Sequence, residues 1–356
     1  MTRLSWLDAC GLLLSAILVL QVGCGGPAQP PKPTVESEEP ETVSEEASGE
    51  SGETLPSDTA ASAETPAPAE TPASEPVEAT APAVATAGLP VIPLGLPELT
   101  IPEDNPMTPE KIELGRLLYF DKRVSRDGTV SCATCHDPQM AWAERRATSA
   151  GITGEDGHPL VGNRNSPTII NAAYAPNQFW DGRAATLEEQ AVGPVGNSIE
   201  MGSSMDNVVT SFNEIAGYKE LFQKVFGTDV TEDGFAKAIA AFERTILSGN
   251  SPYDKFKAGD EGALTDAQKR GMAAFDEYCA VCHAPPIFSN FQFHNAGVGA
   301  DLPEPDKGRM DVTGNKRDMG RMRVPALREV ANTAPYFHNG SVMTLEESVD
   351  LYVRGG

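Results

Sequence analysis

The sequence predicts a mainly α-helical protein in which two folded domains follow a signal peptide and a disordered linker. Three observations lead to this prediction: capped amphipathic patterns, few strand signals, and one Cys-x-x-Cys-His motif in each half of the folded part. The motifs, "CATCH" and "CAVCH", lie 147 residues apart. We assign the signal peptide to 1–26, the linker to 27–88, and the two domains to 89–250 and 251–356.

The first 26 residues have the pattern of an export signal. Arg3 precedes an apolar run that is too short to span a bilayer comfortably, and "VGCGG" places a small residue before Cys24. This pattern favours a lipoprotein with lipid on Cys24, and simple cleavage nearby is the alternative. Both readings predict an exported, periplasmic protein; the lipoprotein would meet a membrane through its lipid anchor, whereas simple cleavage would give a soluble exported product.

Residues 27–88 consist mostly of Pro, Glu, Ala, Ser and Thr and carry a net charge of −12. Such a segment buries too little apolar surface to offset its ordering entropy, so we expect a self-repelling, extended tether. The whole chain carries a net charge of −24. This acidity argues against a nucleic-acid partner, although it could steer a basic protein towards the molecule.

Two helices can be placed from their capping signals. Thr265 and Gln268 form a capping-box pattern at the start of a helix that runs into the second motif. Thr108 and Pro109 form a similar start for a helix with an apolar stripe.

The cysteines that follow Cys24 all belong to the two motifs, so none remains for a disulfide framework. They are Cys132, Cys135, Cys279 and Cys282, followed by His136 and His283. A shared zinc ion would leave the histidines unexplained, and a thioredoxin-like pair needs a βαβ pattern that neither motif has. Two thioethers can instead hold the vinyl groups of one haem while the next imidazole binds the iron. The sequence therefore predicts two cytochrome c-like domains, each with a covalently bound haem c.

Three further stretches carry a family resemblance: "FWDGRAATLEEQA", "EMG" ten residues after its Gln, and "VPALREVANTAPYFHNGSVMTLEESVDLY". With the two motifs, they resemble the bacterial di-haem cytochrome c peroxidase family, which includes the MauG-type enzymes. The resemblance covers about 101–356. It implies reduction of hydrogen peroxide to water with electrons from a small cytochrome c or cupredoxin. A homodimer is a further expectation, since dimers are common in the family.

The resemblance implies roles for residues around the first haem. The haem on His136 would be the peroxidatic one, with Glu200 moving the proton of the peroxide and Gln190 orienting it. Trp180 would couple the two haems, and Pro194 would shape the pocket. The alternatives are a solvated loop acid for Glu200 and an ordinary core aromatic for Trp180.

Two other features depend on the same resemblance. His158 lies in a Gly-rich loop, where it either caps the first iron at rest or is a surface histidine. Asn165, Thr333 and Pro335 match a calcium site at the domain interface, in which oxygen ligands and waters would bind one Ca²⁺.

The second haem needs a sixth ligand, which in the peroxidases is a Met fourteen residues after the His of the "PYFH" motif. Here that histidine is His338, and the residue at this spacing is Tyr352, as in MauG-type members. Tyrosinate is a hard donor that stabilises ferric or higher iron. The alternatives are Met343, Met319 and Met322, with Tyr352 as a packing residue.

Three functions remain open from the sequence. A peroxidase leads, and Tyr352 motivates the second, MauG-like oxidation of a protein side chain by peroxide. A di-haem electron carrier or redox sensor is the third, although it would need neither Gln190 nor Glu200. We expect His294 and His338 to bond a propionate or a backbone group. The resemblance also implies a helix after Gly356, so the chain is either a short form or incomplete.

Overall fold

The computed structural model describes residues 89–355, and helices dominate this part of the chain. The helices are α1 (Pro109–Phe120), α2 (Cys132–Cys135), α3 (Leu187–Gly196), α4 (Met205–Asn213), α5 (Ala216–Phe226), α6 (Glu232–Glu243), α7 (Pro252–Lys257), α8 (Asp266–Tyr278), α9 (Met310–Thr313) and α10 (Leu345–Val353). The strands are β1 (Ala150–Thr153), β2 (Pro159–Val161), β3 (Phe293–His294) and β4 (Met322–Arg323). The prediction of a mainly helical protein is confirmed.

The two capping signals form as the sequence predicts. The Thr108 hydroxyl accepts a hydrogen bond from the Lys111 backbone N–H, with Pro109 in the first turn of α1. At α8 the Gln268 N–H donates to the Thr265 hydroxyl at 3.2 Å, and the Thr265 N–H donates to the Gln268 side chain at 2.9 Å. Each cap satisfies backbone donors that the first turn of a helix leaves without partners.

The apolar core lies between Met107 and Ile246, where α1 packs against α6 and α6 against α3. Nearly all of α6 from Phe235 to Phe242 is buried. Gly115 of α1 permits this packing, because a Cβ at that position would lie 1.9 Å from the Ala238 carbonyl oxygen. The glycine therefore lets the two helices approach closely.

The strands form two small antiparallel pairs. β1 pairs with β2 and makes a hairpin with His158 in its turn. β3 pairs with β4, with Phe293 opposite Arg323 and His294 opposite Met322.

A buried ion pair holds the C-terminal half of the described chain to its start. The Arg328 guanidinium donates two 2.8 Å hydrogen bonds to the Asp254 carboxylate. The same side chain donates to the carbonyl oxygens of Pro286 and Gly95. These contacts join residues 95, 254, 286 and 328, which are far apart in the sequence.

Residues 89–355 all lie in one compact unit, and the predicted domain boundary after residue 250 stays a prediction. The predicted signal peptide, linker and lipid-bearing Cys24 lie outside the described residues. Among the described helices, none has the length and apolar character needed to cross a membrane.

Candidate active site

The first Cys-x-x-Cys-His motif forms helix α2, and its histidine ends the turn. The His136 N–H donates to the Cys132 carbonyl oxygen at 3.0 Å. The ring Nδ1 lies 3.0 Å from the Pro167 carbonyl oxygen, so an Nδ1–H donates there and Nε2 keeps its lone pair. Burial lowers the pKa of His136 to about 4, which keeps the imidazole neutral. A neutral ring fixed in this way, beside two cysteines, fits the proximal ligand of a haem c.

A cavity of about 270 Å³ adjoins this motif and opens to solvent. Its walls bring together eight of the residues that the sequence singled out: Cys132, Cys135, His136, Asn165, Trp180, Gln190, Pro194 and Glu200. They come from α2, α3 and three separate loops. The chain therefore places the Cys-x-x-Cys-His motif and the candidate proton-transfer residues around one space.

Helix α3 carries two of these residues on one face. The Thr186 hydroxyl caps the helix by accepting from the Glu189 N–H at 3.1 Å. Gln190 and Pro194 are four residues apart, so they lie on the same side of the helix, and both line the cavity.

Glu200 follows α3 in a turn that Asn197 holds. The Asn197 side-chain NH₂ donates to Glu200 Oε1 at 2.8 Å, and its Oδ1 accepts from the Ile199 N–H at 2.9 Å. Burial raises the pKa of Glu200, and the positive charge of Arg183 opposes this rise. A raised pKa suits a carboxyl group that takes up and returns a proton near neutral pH. Sequence reasoning missed Asn197, whose signal is an Asx turn directly after a helix.

Trp180 is held by residues from both halves of the chain. Its indole Nε1–H donates to the Asn165 carbonyl oxygen at 2.9 Å. Its own carbonyl oxygen accepts from the Arg323 N–H at 2.7 Å, and its ring lies 6.5 Å from the ring of His338. Arg323 also lines the cavity, so Trp180 stands where the two halves meet at the site.

An ion-pair network beside Trp180 was missed from the sequence. Arg164 donates to Asp181 at 2.6 Å and makes two hydrogen bonds to Asp306, at 2.6 and 2.8 Å. Arg309 donates to the carbonyl oxygens of Asp181 and Gly182. The network fixes the segment that carries Trp180 against the C-terminal half. Its only sequence signal is the "FWDGR" stretch that contains Asp181.

Glu243 is a second buried acid at the cavity that the sequence did not reveal. It lies on α6, is 4% exposed, and lines the cavity. Its Oε2 has no hydrogen-bond partner among the described residues. Burial raises its pKa to about 8, and the charge of Arg244 opposes this rise. The available signal was a single acid inside the apolar run "AIAAFERTIL".

The second motif repeats the local geometry of the first. The His283 N–H donates to the Cys279 carbonyl oxygen at 2.9 Å, and its ring Nδ1 lies 3.1 Å from the Phe288 carbonyl oxygen. Burial lowers the pKa of His283. A neutral imidazole whose Nδ1–H is satisfied again leaves Nε2 for a metal, so this motif also fits a haem c.

Tyr352 of α10 lies near the second motif. Tyr352 is 57% exposed, and burial of the remainder raises the pKa of its phenol, with smaller contributions from the neighbouring Cys282 and Cys279. Its ring lies 6.1 Å from that of Phe337. Among the alternatives, Met343 is exposed, Met319 is at the edge of exposure, and Met322 is buried in β4. Tyr352 as the sixth ligand stays a prediction.

The structure does not bring His158 to the cavity. It lies exposed in the turn of the β1–β2 hairpin, where its carbonyl oxygen accepts from the Gly154 N–H at 2.8 Å. His294 is exposed in β3, whereas His338 is buried and its carbonyl oxygen accepts from the Asn165 N–H.

The three residues of the predicted calcium site lie in neighbouring segments. Asn165 meets the 333–338 segment through the carbonyl oxygen of His338, three residues after Pro335. The Asn165 side-chain NH₂ donates to the Arg146 carbonyl oxygen, so its Oδ1 can act as a ligand. No cluster of three or more Asp, Glu, His or Cys suited to a metal occurs in the described part of the chain. A calcium ion here would therefore depend on carbonyl and amide oxygens, as the prediction states.

Comparisons with known proteins agree with this site. The family described as di-haem cytochrome c peroxidase matches residues 109–262. The cytochrome c peroxidase of Escherichia coli (strain K12) is 42% identical over 265 residues, which cover 72% of this chain and 56% of that protein. The chain thus spans about half the length of this relative.

Two further relatives are covered more completely. The methylamine utilization protein MauG of Methylorubrum extorquens is 38% identical over 262 residues, covering 72% of each chain. A MauG-like protein associated with microbial copper homeostasis has a crystal structure that is 35% identical, with a TM-score of 0.65 over 74% of this chain and 82% of that one. These matches confirm the predicted enzyme class, a peroxidase-type oxidoreductase, and imply two haem c groups. The chain belongs to the di-haem cytochrome c peroxidase family.

Proposed function

We propose that this protein reduces hydrogen peroxide to water at the cavity beside His136, with electrons that enter near His283. One observation carries the proposal: a single cavity contains a neutral, oriented imidazole, the amide of Gln190 and the partly buried carboxyl group of Glu200. An electron carrier needs no proton-transfer group in its haem pocket. The E. coli and MauG relatives support the same class of chemistry.

The haem on His136, when bound, supplies an iron that binds peroxide and passes electrons to it. The Pro167 carbonyl oxygen holds the imidazole in one orientation by accepting its Nδ1–H. Cys132 and Cys135 of α2 would hold the cofactor covalently beside the cavity.

Glu200 performs the proton transfer in this proposal. Its carboxylate takes the proton of the peroxide and returns it to the leaving oxygen, and its raised pKa makes both steps feasible near neutral pH. Asn197 holds one carboxylate oxygen, which leaves the other to face the substrate. Gln190 orients the peroxide, and Pro194 shapes the wall one helical turn away.

Trp180 provides the link between the two haem sites. The hydrogen bonds from its indole to Asn165 and from Arg323 to its carbonyl oxygen fix it between the halves. Electrons come from a small cytochrome c or cupredoxin that approaches the second motif, where Cys279 is exposed. The net charge of −24 favours a donor with a basic surface.

A second candidate function is the MauG-like oxidation of a protein side chain with peroxide. The position of Tyr352 near Cys279 and Cys282 favours it, because an anionic oxygen ligand stabilises oxidised iron. MauG itself and a MauG-like protein are among the relatives.

The proposal includes several features beyond the reaction. One Ca²⁺ would bind Asn165, Thr333 and Pro335 and stiffen the junction of the two halves. The protein would be exported to the periplasm, with lipid on Cys24 as its membrane anchor, and would form a homodimer.

The test is peroxide consumption by the haem-loaded full chain, supplied with a reduced small cytochrome c. Sustained turnover is the expected result. A single oxidation of the protein by one equivalent of peroxide, without turnover, would support the MauG-like alternative. No reaction of the loaded protein with peroxide would contradict both. Glu220→Gln, an exposed change on α5, serves as the control for Glu200→Gln.

A further inference from the structure

An aromatic cluster of Tyr119, Phe120, Trp142 and Phe242 packs beside the first haem motif. The ring centroids of Tyr119 and Trp142 are 5.8 Å apart, and each lies within 6 Å of the Phe242 ring. All contacts are edge-to-face. The peroxidase proposal uses none of these residues.

The cluster connects to the backbone of the proximal ligand. The Tyr119 hydroxyl lies 3.5 Å from the His136 carbonyl oxygen. The Trp142 N–H donates at 2.8 Å to the carbonyl oxygen of Asp137, the residue that follows His136. The Tyr119 side chain and the Trp142 backbone therefore each contact the segment that carries His136.

The cluster also leads from the interior towards solvent. Tyr119 is completely buried, whereas Trp142 is partly exposed. Ala141 and Trp142 both have left-handed backbones, with φ of 52° and 58°, a conformation that is unfavourable for residues other than glycine. Hydrogen bonds from Thr168 and Ile169 to the carbonyl oxygens of these two residues maintain it. The surrounding structure thus stabilises an unfavourable backbone conformation at Trp142, and this conformation sets the position of the indole.

The two oxidisable side chains differ in how they can release a proton. A tyrosine gives up its phenolic proton when it is oxidised, but Tyr119 is completely buried, and among the described residues its hydroxyl makes one hydrogen bond, to the His136 carbonyl oxygen at 3.5 Å. An indole can lose an electron first and its proton later. Trp142, with part of its surface in water, is the better end point for an oxidation that begins at the first haem.

We propose that Trp142 is an internal electron source for peroxide reduction, reached through Tyr119, and that it becomes hydroxylated when no external donor is present. The proposal rests on the peroxidase function proposed above. Hydrogen peroxide takes two electrons and two protons and becomes two water molecules. Trp142 loses two electrons and two protons as a ring C–H bond is replaced by a C–O bond, whose oxygen comes from water. The net reaction converts one peroxide and one tryptophan into one water and one hydroxytryptophan.

Trp180 provides the internal comparison. It lines the cavity, and its N–H is bound to the Asn165 carbonyl oxygen inside the protein. When an external donor is present, its electrons pass through Trp180 and return this residue to its reduced state. Trp142 lies on a different electron-transfer path, which leads from the first motif towards solvent. It supplies electrons when the external donor is exhausted.

The experiment treats the haem-loaded full chain with peroxide, without donor and without oxygen gas, in water labelled with heavy oxygen. Mass spectrometry of peptides then locates the label. We expect heavy oxygen on Trp142, loss of this label when reduced small cytochrome c is added, and no label in the chain without haem. Direct attack by peroxide would instead leave light oxygen.

Two variants sharpen the result. Trp142→Phe keeps an aromatic ring in the cluster and should accelerate bleaching of the haem by peroxide when no donor is present. Tyr119→Phe should lower the label at Trp142, whereas the control Tyr218→Phe, at a buried tyrosine outside the cluster, should not. Consumption of peroxide without heavy oxygen on Trp142 would overturn the inference and leave the peroxidase proposal intact. Failure to consume peroxide would overturn both.

Discussion

The two haem motifs have the same local geometry but very different surroundings. In each, the histidine N–H bonds back to the first cysteine and the ring Nδ1 faces a carbonyl oxygen, that of Pro167 or Phe288. The first motif adjoins the apolar core of α1, α3 and α6. At the second, Tyr278 is 72% and Val281 80% exposed, and neither α8 nor α10 contains a buried residue.

This difference shows that the motif sets the orientation of the iron ligand, while the packing around it sets the chemistry. At the first site protein side chains form the cavity wall, bury Glu243 fully and Glu200 partly, and raise the pKa of both acids. At the second site fewer protein contacts surround the motif, and the nearby candidate ligand is Tyr352. We therefore expect substrate chemistry at the first site and electron entry at the second.

The largest effect should come from Glu200→Gln. It removes the group that moves the peroxide proton and should lower turnover by roughly 10²–10⁴-fold with both haems still bound. Steady-state peroxide consumption measures this, with Glu220→Gln as the exposed control. Wild-type turnover in Glu200→Gln would assign proton transfer to another group.

The next effect concerns the buried ion pair of Arg328 and Asp254, which holds the C-terminal half to the start of the described chain. Asp254→Asn leaves the buried Arg328 guanidinium without its carboxylate, so the free energy of unfolding should fall by about 3–5 kcal/mol. Denaturant unfolding of the loaded protein measures this. Asp229→Asn removes a partner from the exposed Lys219 pair, which solvent screens, so the loss should be far smaller than that of Asp254→Asn. Equal losses in the two variants would refute a special role for the buried pair.

Loss of one haem should affect the two regions differently. Replacing Cys279 and Cys282 by Ala removes the second haem, and amide hydrogen exchange in α8 and α10 should then accelerate strongly, because few protein contacts protect them. The same change at Cys132 and Cys135 should leave α6 protected by its packing against α1. Comparable exchange in the two variants would show that both regions depend equally on their cofactors.

The last prediction is a pH dependence of stability that comes from Glu243. Its pKa is raised from 4.5 to about 8 in the folded protein, so between these values the folded state holds a proton that the unfolded state has lost. This group therefore lowers stability as pH rises from about 4.5 to about 8. Glu243→Gln should flatten the stability profile over this window in urea unfolding. A profile that still falls with the wild-type slope would assign the dependence to another group.

The sequence predicted the features that local patterns encode. The capping box of Thr265 and Gln268 follows from a spacing of three residues, and the two motifs carry their chemistry in five consecutive positions. Gln190 and Glu200 were identified by resemblance, and the fold places both at the cavity. Their roles stay predictions.

The remaining features depend on contacts between distant segments. Arg164 and Asp306 form an ion pair although 142 residues separate them in the sequence, and no local periodicity predicts such a pair. The burial of Glu243 follows from the packing of α6, which a single acid in an apolar run does not reveal. For His158 the sequence allows either an iron ligand or a surface histidine, because loop positions align poorly. The structure places it in an exposed hairpin turn.

The central claim is that peroxide reacts at the haem on His136 and not at the haem on His283. The most direct measurement compares the two single-haem proteins, Cys279→Ala with Cys282→Ala and Cys132→Ala with Cys135→Ala, after reduction and removal of the reductant. Each is mixed with peroxide in a stopped-flow spectrometer. We predict rapid oxidation of the protein that keeps only the first haem and slow oxidation of the other. Faster reaction of the protein that keeps only the second haem would contradict the assignment.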